Sequence, residues 1–170
     1  MRRQIFSNNL QRAYFAVAGR TFAVSMIAIF EPLYLLNIFR NHGIQYEISL
    51  VLLYFAVIFL FYGILSPFGA RLAAKFGLKT VILVSVPFLF AYYATLLYAS
   101  EAPIFILLAL VLQIIHMTLH WPAFHFFFAK AGSDAHRGRE VSGLIMVSGL
   151  ASLIGPPLGG LIISFLGFPA

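Results

Sequence analysis

Two histidines at helical spacing are the first residues in this sequence that could do chemistry. His116 and His120 lie four residues apart in the segment QIIHMTLHWPAFHFFF (residues 113–128), so a helix would place both on one face. Paired histidines at this spacing bind zinc in helices of the HExxH type, but here no glutamate follows His116 and no third ligand is apparent. We therefore expect no metal, no cofactor and no enzyme active site.

The histidine pair has two other interpretations. Each ring could simply be hydrogen-bonded to a neighbouring helix, or the pair could line a cavity where it titrates or holds a substrate. Gln113 lies nearby on the same helical face, whereas His125 points away from His116.

Two charged residues lie inside another apolar stretch. Arg20 and Glu31 are eleven residues apart, which is close to three helical turns, so a continuous helix would place them on one face but about 16 Å apart. Arg20 is a candidate for substrate binding, and Glu31 is a candidate proton carrier. The alternatives are a structural or topological arginine and a glutamate at the outer membrane interface.

The composition defines the class of protein that contains these residues. Of the 170 residues, 62% are hydrophobic and only 9% are charged, whereas about 25% of a soluble protein is charged. The chain is therefore expected to be an integral, multi-pass membrane protein whose first partner is the lipid bilayer. The absence of cysteine excludes disulfides, Cys-ligated zinc and thiol catalysis.

Five apolar stretches are long enough to cross a bilayer as helices. The sequence thus predicts an all-α, polytopic fold with a single transmembrane domain over residues 1–170. The predicted helices cover residues 13–39, 47–70, 79–99, 103–129 and 141–166.

The basic residues indicate the orientation. Nine lysines and arginines fall on one side of the predicted helices, only Arg40 falls on the other, and Arg20 lies within a helix. By the positive-inside rule the N-terminus is cytoplasmic, and we expect the protein in the plasma (inner) membrane. Because the basic residues are concentrated on one side of the membrane, membrane topology accounts for the net charge of +6, and we expect no nucleic-acid partner. The nine are Arg2, Arg3, Arg12, Arg71, Lys75, Lys79, Lys130, Arg137 and Arg139.

A basic segment, FGARLAAKFGLKTVIL (residues 68–83), separates the second and third predicted helices. Arg71, Lys75 and Lys79 are spaced four apart and would share a face on continuous helix. Gly77 permits a tight turn between antiparallel helices. By itself, the segment also fits an ordinary basic turn.

The fifth predicted helix contains GPPLGG (residues 155–160), an unusual concentration of proline and glycine. Small residues at spacings of four, three and four form one stripe, which lets membrane helices approach closely. The stripe consists of Ser148, Ser152, Gly155 and Gly159. Proline is tolerated in such a helix because neighbouring helices or a local change of the backbone can satisfy the carbonyl groups that proline leaves without a donor.

These two segments resemble motifs of the major facilitator superfamily of secondary transporters. The loop signature of that family reads approximately G-x-L-A-D-R-x-G-R-R, and its fifth helix often carries G-P-x-x-G-G. In the loop the matching residues are Leu72, Ala73, Lys75, Phe76, Gly77 and Lys79, while Ala74 replaces the aspartate. In the helix they are Gly155, Pro156, Leu158, Gly159 and Gly160.

The resemblance implies an architecture and a function. The chain would supply helices one to five of a six-helix half and would move a small-molecule substrate by alternating access. Residues 72–79 would act as a gating loop, weakened by the missing aspartate, and GPPLGG as a hinge-like packing seam. Helices one and four line the central cavity in this family, so Arg20, Gln113, His116 and His120 could form one polar patch. The GPPLGG element favours a proton-coupled exporter, that is, an antiporter.

Two other classes of protein also fit the sequence. Five helices cannot by themselves form the central cavity of a two-half transporter. They would need either a sixth helix and a second half, or a partner chain, which could be a second copy of this chain. The protein could therefore be a five-span interaction or assembly subunit that uses the Gly/Ser seam. An intramembrane enzyme using the helix-four histidines is the remaining alternative.

Overall fold

The computed structural model describes residues 2–131 and 137–166 of the chain, and these residues form α-helices joined by short turns, with no strand among them. The helices are α1 (Arg2–Ala28), α2 (Glu31–Asn41), α3 (Glu47–Phe76), α4 (Leu78–Tyr98), α5 (Ile104–Ala131) and α6 (Arg137–Leu166).

The five predicted membrane spans are confirmed. Five helical segments are long and apolar enough to cross a bilayer: Gln11–Asn41, Glu47–Phe76, Leu78–Tyr98, Ile104–Lys130 and Arg137–Leu166. Large apolar side chains such as Leu83, Leu153 and Phe165 are exposed on these segments. Exposed apolar surface on this scale suits a protein whose solvent is lipid.

The first span differs from the prediction because it is broken. α1 ends at Ala28, α2 begins at Glu31, and a turn at Ile29 and Phe30 separates them. Pro32 explains the position of the break: it has no N–H to donate to the Ala28 carbonyl, and its ring clashes with that carbonyl in a continuous helix. The assumption of one continuous helical face from Arg20 to Glu31 therefore fails.

The helix that follows is longer than predicted. α3 continues through the basic segment to Phe76 rather than ending at residue 70, because arginine, lysine, leucine and alanine all favour helix. Only Gly77 interrupts the chain before α4. α6 also begins earlier than predicted, at Arg137, and residues 132–136 of the predicted 130–140 connection lie outside the described residues.

The chain forms two compact units. Of the described residues, one unit contains those up to Tyr34 and those from Phe128 to Leu166, and the other contains Leu35–Phe127. The divisions fall inside α2 and inside α5.

In the first unit, α1 packs against α6. The Tyr14 hydroxyl donates a hydrogen bond to the Glu140 carbonyl (2.8 Å), and the Tyr14 ring lies 6.3 Å from that of Phe128. The Tyr14 side chain of α1 thus holds the first turn of α6 by a hydrogen bond to the backbone of α6. Further along, the Ser25 hydroxyl donates to the Phe22 carbonyl and lies 3.4 Å from the Ala151 carbonyl.

In the second unit, α3 and α4 form a hairpin that packs with α5. Small buried residues allow the close approach near the turn, where Ala73, Val81 and Ala123 form a cluster. At mid-helix the Tyr54 hydroxyl donates to the Tyr92 hydroxyl (3.4 Å). At the other end His42 Nε2 donates to the Ser100 carbonyl (3.1 Å).

The turn at Gly77 has a conformation that only glycine adopts readily. Its φ is +91° and its ψ 141°, and its N–H donates to the Ala73 carbonyl. We expect Gly77→Ala to reduce the free energy of unfolding by about 1–3 kcal/mol, because an L side chain strains this backbone. The measurement is a denaturant titration in detergent micelles.

Gly63→Ala is the matched control on α3. A Cβ at Gly63 would meet no atom within 4 Å, and alanine stabilises a helix relative to glycine by about 0.5–1 kcal/mol. The two substitutions should therefore change stability in opposite directions. Equal effects would show that the turn is not strained.

Candidate functional site

The predicted histidine pair is buried in the second unit against α4. His116 Nδ1 lies 2.8 Å from the Ser85 carbonyl oxygen, and His120 Nδ1 lies 3.2 Å from the Ser85 hydroxyl oxygen. The two imidazole rings stack with their centroids 5.1 Å apart. One serine therefore contacts both histidines, through its backbone and through its side chain.

Aromatic rings cover the His120 end of the pair. Phe124 stacks on His120 at 6.1 Å and Trp121 meets it edge-on at 5.5 Å. His125 is exposed and stacks on the other side of this group, on Trp121. Within residues 2–131 and 137–166, no three His, Asp or Glu side chains come together as a metal site would require.

Two further polar groups on α5 are buried. Gln113 is half-buried, and its Oε1 has no hydrogen-bond partner among the described residues. The Thr118 hydroxyl also has no hydrogen-bond partner among the described residues. The backbone of Thr118 lies close to α3, because a Cβ placed on Gly69 would overlap the Thr118 carbonyl. α3 and α5 therefore cross with their backbones in contact at this point.

Arg20 and Glu31 belong to the first unit. Arg20 is half-buried on α1. Glu31 is only 8% exposed and is the first residue of α2, directly after the break in the first span. A buried carboxyl group at a break in a membrane helix is a strong functional candidate, since burial of a charge is costly.

The predicted four-residue patch combines the two units. Arg20 comes from the first, whereas Gln113, His116 and His120 come from the second. The structure brings His116 and His120 together on Ser85, and the wider patch stays a prediction.

The glycines of the packing seam predicted in the fifth membrane span lie where α6 contacts the first span. A Cβ on Gly155 would overlap the Ser25 hydroxyl, one on Gly159 would overlap the Met26 carbonyl, and one on Gly160 would lie 3.4 Å from the Phe30 ring. Both Gly155 and Gly159 are buried, and Pro156 lies between them within the helix.

The serines of the predicted stripe are placed differently from the glycines. Ser148 is half-buried and Ser152 is exposed, while Ala151 is buried and takes the position next to α1. The reason is the spacing, because Ala151, Gly155 and Gly159 are each four residues apart and follow one face of a helix. Ser152 lies one residue, or about 100°, around the helix from that face.

The predicted gating-loop residues occupy the α3–α4 hairpin. Ala73 is buried and Leu72 packs beside it. Lys75 and Lys79 are exposed, and the Lys75 ammonium lies 5.2 Å from the centre of the Phe76 ring. Gly77 forms the turn itself.

Sequence reasoning missed Ser85. It is the only polar side chain in the run VILVSVPFLFA (residues 81–91) of α4, and it is fully buried. A polar residue inside such a run is a signal for an interhelical hydrogen bond, but its partners lie 31 and 35 residues away. Only the packing of α4 on α5 brings them together.

The family model of the Major Facilitator Superfamily matches residues 13–170 and so covers both the α3–α4 hairpin and GPPLGG. The chain belongs to the Major Facilitator Superfamily. No curated protein and no solved structure matches it.

Membership of the superfamily makes this chain part of a family of membrane transporters, whose members are not enzymes.

Gly159 lies where α6 approaches the backbone of α1 closely, at the Met26 carbonyl. Gly159→Ala should destabilise the protein by about 1–3 kcal/mol, because the added methyl group overlaps a backbone carbonyl that cannot rotate away. The measurement is the free energy of unfolding in detergent micelles.

Gly149→Ala on the same helix serves as control. A Cβ at Gly149 would meet no atom within 4 Å, so alanine should be neutral or slightly stabilising there. A Gly159→Ala protein as stable as the wild type would contradict the close contact of α6 with Met26.

Proposed function

We propose that the protein is a secondary transporter that moves a small solute across the plasma (inner) membrane by alternating access, exporting the solute in exchange for protons. Its helices would work against a second helical half around a central site. The N-terminus and the α3–α4 hairpin would lie on the cytoplasmic side, as the distribution of basic residues indicates.

The observation that carries this proposal is the buried Glu31 at the break between α1 and α2. Transporters of this general kind bind substrates and coupling ions where membrane helices are interrupted, because the interruption leaves backbone groups available to a ligand. A carboxyl group at such a place can take up and release a proton, which matches the role of a coupling residue.

Arg20 and the polar residues of α5 supply the proposed substrate site. Arg20 provides a permanent positive charge with several donors in a fixed geometry. Gln113 supports the proposal because its buried amide oxygen has no hydrogen-bond partner in the described part of the chain and could accept one from a substrate. His116 and His120 complete the proposed patch.

The α3–α4 hairpin would act as the gating element. Its three cations, Arg71, Lys75 and Lys79, are exposed and have no aspartate among them, since Ala74 occupies that position. In this proposal the latch between the two halves is weaker than in relatives that carry the aspartate.

Proton coupling by Glu31 can be tested with Glu31→Gln. The full-length gene product is placed in liposomes with a pH-sensitive dye inside, and a panel of small solutes is added one at a time. The wild type should move protons in response to a transported solute, and Glu31→Gln should abolish that response because an amide cannot carry a proton. Glu101→Gln, at an exposed turn, should leave it intact.

Solute uptake without any movement of protons by the wild type would contradict proton coupling. No transport of any solute by correctly inserted protein would contradict the proposed function as a whole.

A role for Arg20 predicts a different kinetic signature. Arg20→Ala should raise the KM for the solute about 10- to 100-fold, which corresponds to the loss of about 1.5–3 kcal/mol for a hydrogen bond to a charged group. Membrane insertion should be unchanged. Arg12→Ala, which changes an exposed arginine eight residues earlier on α1, is the control. Unchanged transport by Arg20→Ala would remove Arg20 from the site.

A further inference from the structure

One exposed side of α3 changes from apolar to cationic as the helix approaches the hairpin turn. Leu60, Ile64 and Phe68 are 59%, 63% and 56% exposed, and Arg71 and Lys75 are exposed as well. The five residues are spaced four, four, three and four apart on one uninterrupted helix, so they share one side of it. We call these five residues the α3 face.

The α3 face points away from the core of the second unit. The buried residues of this helix lie about half a turn around it from Leu60, on the opposite side. They are Val51, Tyr54, Ile58, Gly69 and Ala73. In a membrane protein, an exposed apolar side of a helix is a surface for lipid chains.

Positive charge is concentrated at the hairpin end of the second unit. The segment of residues 68–83 contains Arg71, Lys75 and Lys79 but no aspartate or glutamate, and among the described residues no carboxylate forms an ion pair with them. At the other end of α3 the charges are balanced, because Arg40 Nη2 lies 3.6 Å from Glu47 Oε1. The hairpin end is therefore electrostatically complementary to an anion.

The length of the α3 face matches one leaflet of a bilayer. Leu60 and Arg71 are eleven residues apart, which is about 16 Å along a helix. The hydrocarbon layer of one leaflet is about 15 Å thick, half of the full core. A lipid whose chain begins beside Leu60 thus has its headgroup at the level of Arg71.

The two cations of the α3 face suit a phosphate group. The guanidinium of Arg71 presents a planar set of donors that can bind two phosphate oxygens, and the ammonium of Lys75 adds a compact charge one turn further along. The Lys75 ammonium lies 5.2 Å from the centre of the Phe76 ring, so its charge is held at the end of α3, beyond the apolar residues.

We propose that the α3 face binds one anionic phospholipid, whose acyl chain lies along Leu60, Ile64 and Phe68 and whose phosphate is bound by Arg71 and Lys75. The binding site consists of residues of the second unit alone. It goes beyond the proposed transport function, and it can be tested without measuring transport.

The test is quenching of a fluorophore by brominated lipids, which quench only on contact. The chain contains no cysteine, so Ile64→Cys provides one labelling position on the α3 face. The labelled full chain is placed in phosphatidylcholine bilayers that contain either brominated phosphatidylglycerol or brominated phosphatidylcholine at the same mole fraction. The ratio of the two quenching constants measures the preference for the anionic headgroup.

Leu53→Cys is the matched labelling control. Leu53 is 55% exposed on the same side of α3, but it lies toward the end where Arg40 and Glu47 form an ion pair. At Ile64→Cys the anionic lipid should be preferred about 5- to 25-fold, the contribution of one to two basic residues at a membrane surface. At Leu53→Cys we expect no preference.

Two charge variants separate a binding site from a general attraction to positive charge. Arg71→Gln combined with Lys75→Gln should abolish the preference at Ile64→Cys. Lys79→Gln combined with Lys130→Gln removes the same charge from exposed positions on α4 and α5 and should leave most of the preference.

Three results would each overturn the proposal. They are equal quenching by the two lipids at Ile64→Cys, an equal preference at Leu53→Cys, and an equal loss in the two charge variants. Quenching by neither lipid at Ile64→Cys would also overturn it, because protein would then cover the α3 face. The comparison of the two labelling positions involves no charge substitution, so it decides the question even if a charge variant does not insert.

Discussion

Backbone hydrogen bonding is the constraint on which this structure depends. Inside a bilayer no water is available to the peptide groups, so a spanning segment must satisfy them within the protein. Proline removes one donor each time it occurs in a helix, and it occurs inside α3, α4, α5 and α6. Those helices continue through their prolines, whereas the first span breaks immediately before Pro32.

Polar side chains inside the bundle face a related constraint. His116 Nδ1 donates to the Ser85 carbonyl of α4, an acceptor supplied by the backbone of a neighbouring helix. Buried histidines in an apolar helix need such partners, because a polar group left unpaired away from water is costly.

Close contact between backbones is the second means by which these helices associate. Lipid tails are as apolar as leucine, so membrane helices gain little from burying apolar side chains against each other and depend on packing instead. Gly159 against the Met26 carbonyl and Gly69 against the Thr118 carbonyl are such contacts, one in each unit. Neither glycine could carry a side chain without separating its helices.

The sequence was sufficient for features that depend on local composition. The length of the apolar stretches gave the five spans, and GPPLGG with the basic hairpin pointed to the superfamily. The break before Glu31 could not be distinguished in advance from the continuous helices around Pro67 and Pro122, because the outcome depends on which neighbouring groups satisfy the freed carbonyls. The pairing of Ser85 with His116 and His120 depends on the relative rotation of α4 and α5, which no local pattern specifies.

The break and the glycine seam are adjacent, and this connects packing with function. Gly159 and Gly160 of α6 contact Met26 and Phe30, and Phe30 directly precedes Glu31. The turn between the two half-helices is held by a backbone bond from the Phe30 N–H to the Ile27 carbonyl (2.9 Å) and by one from the Tyr34 N–H to the Phe30 carbonyl (2.8 Å). α6 therefore packs against the segment that leads directly into Glu31. In a transporter that alternates between two states, this arrangement would couple the position of α6 to the environment of the proposed proton carrier.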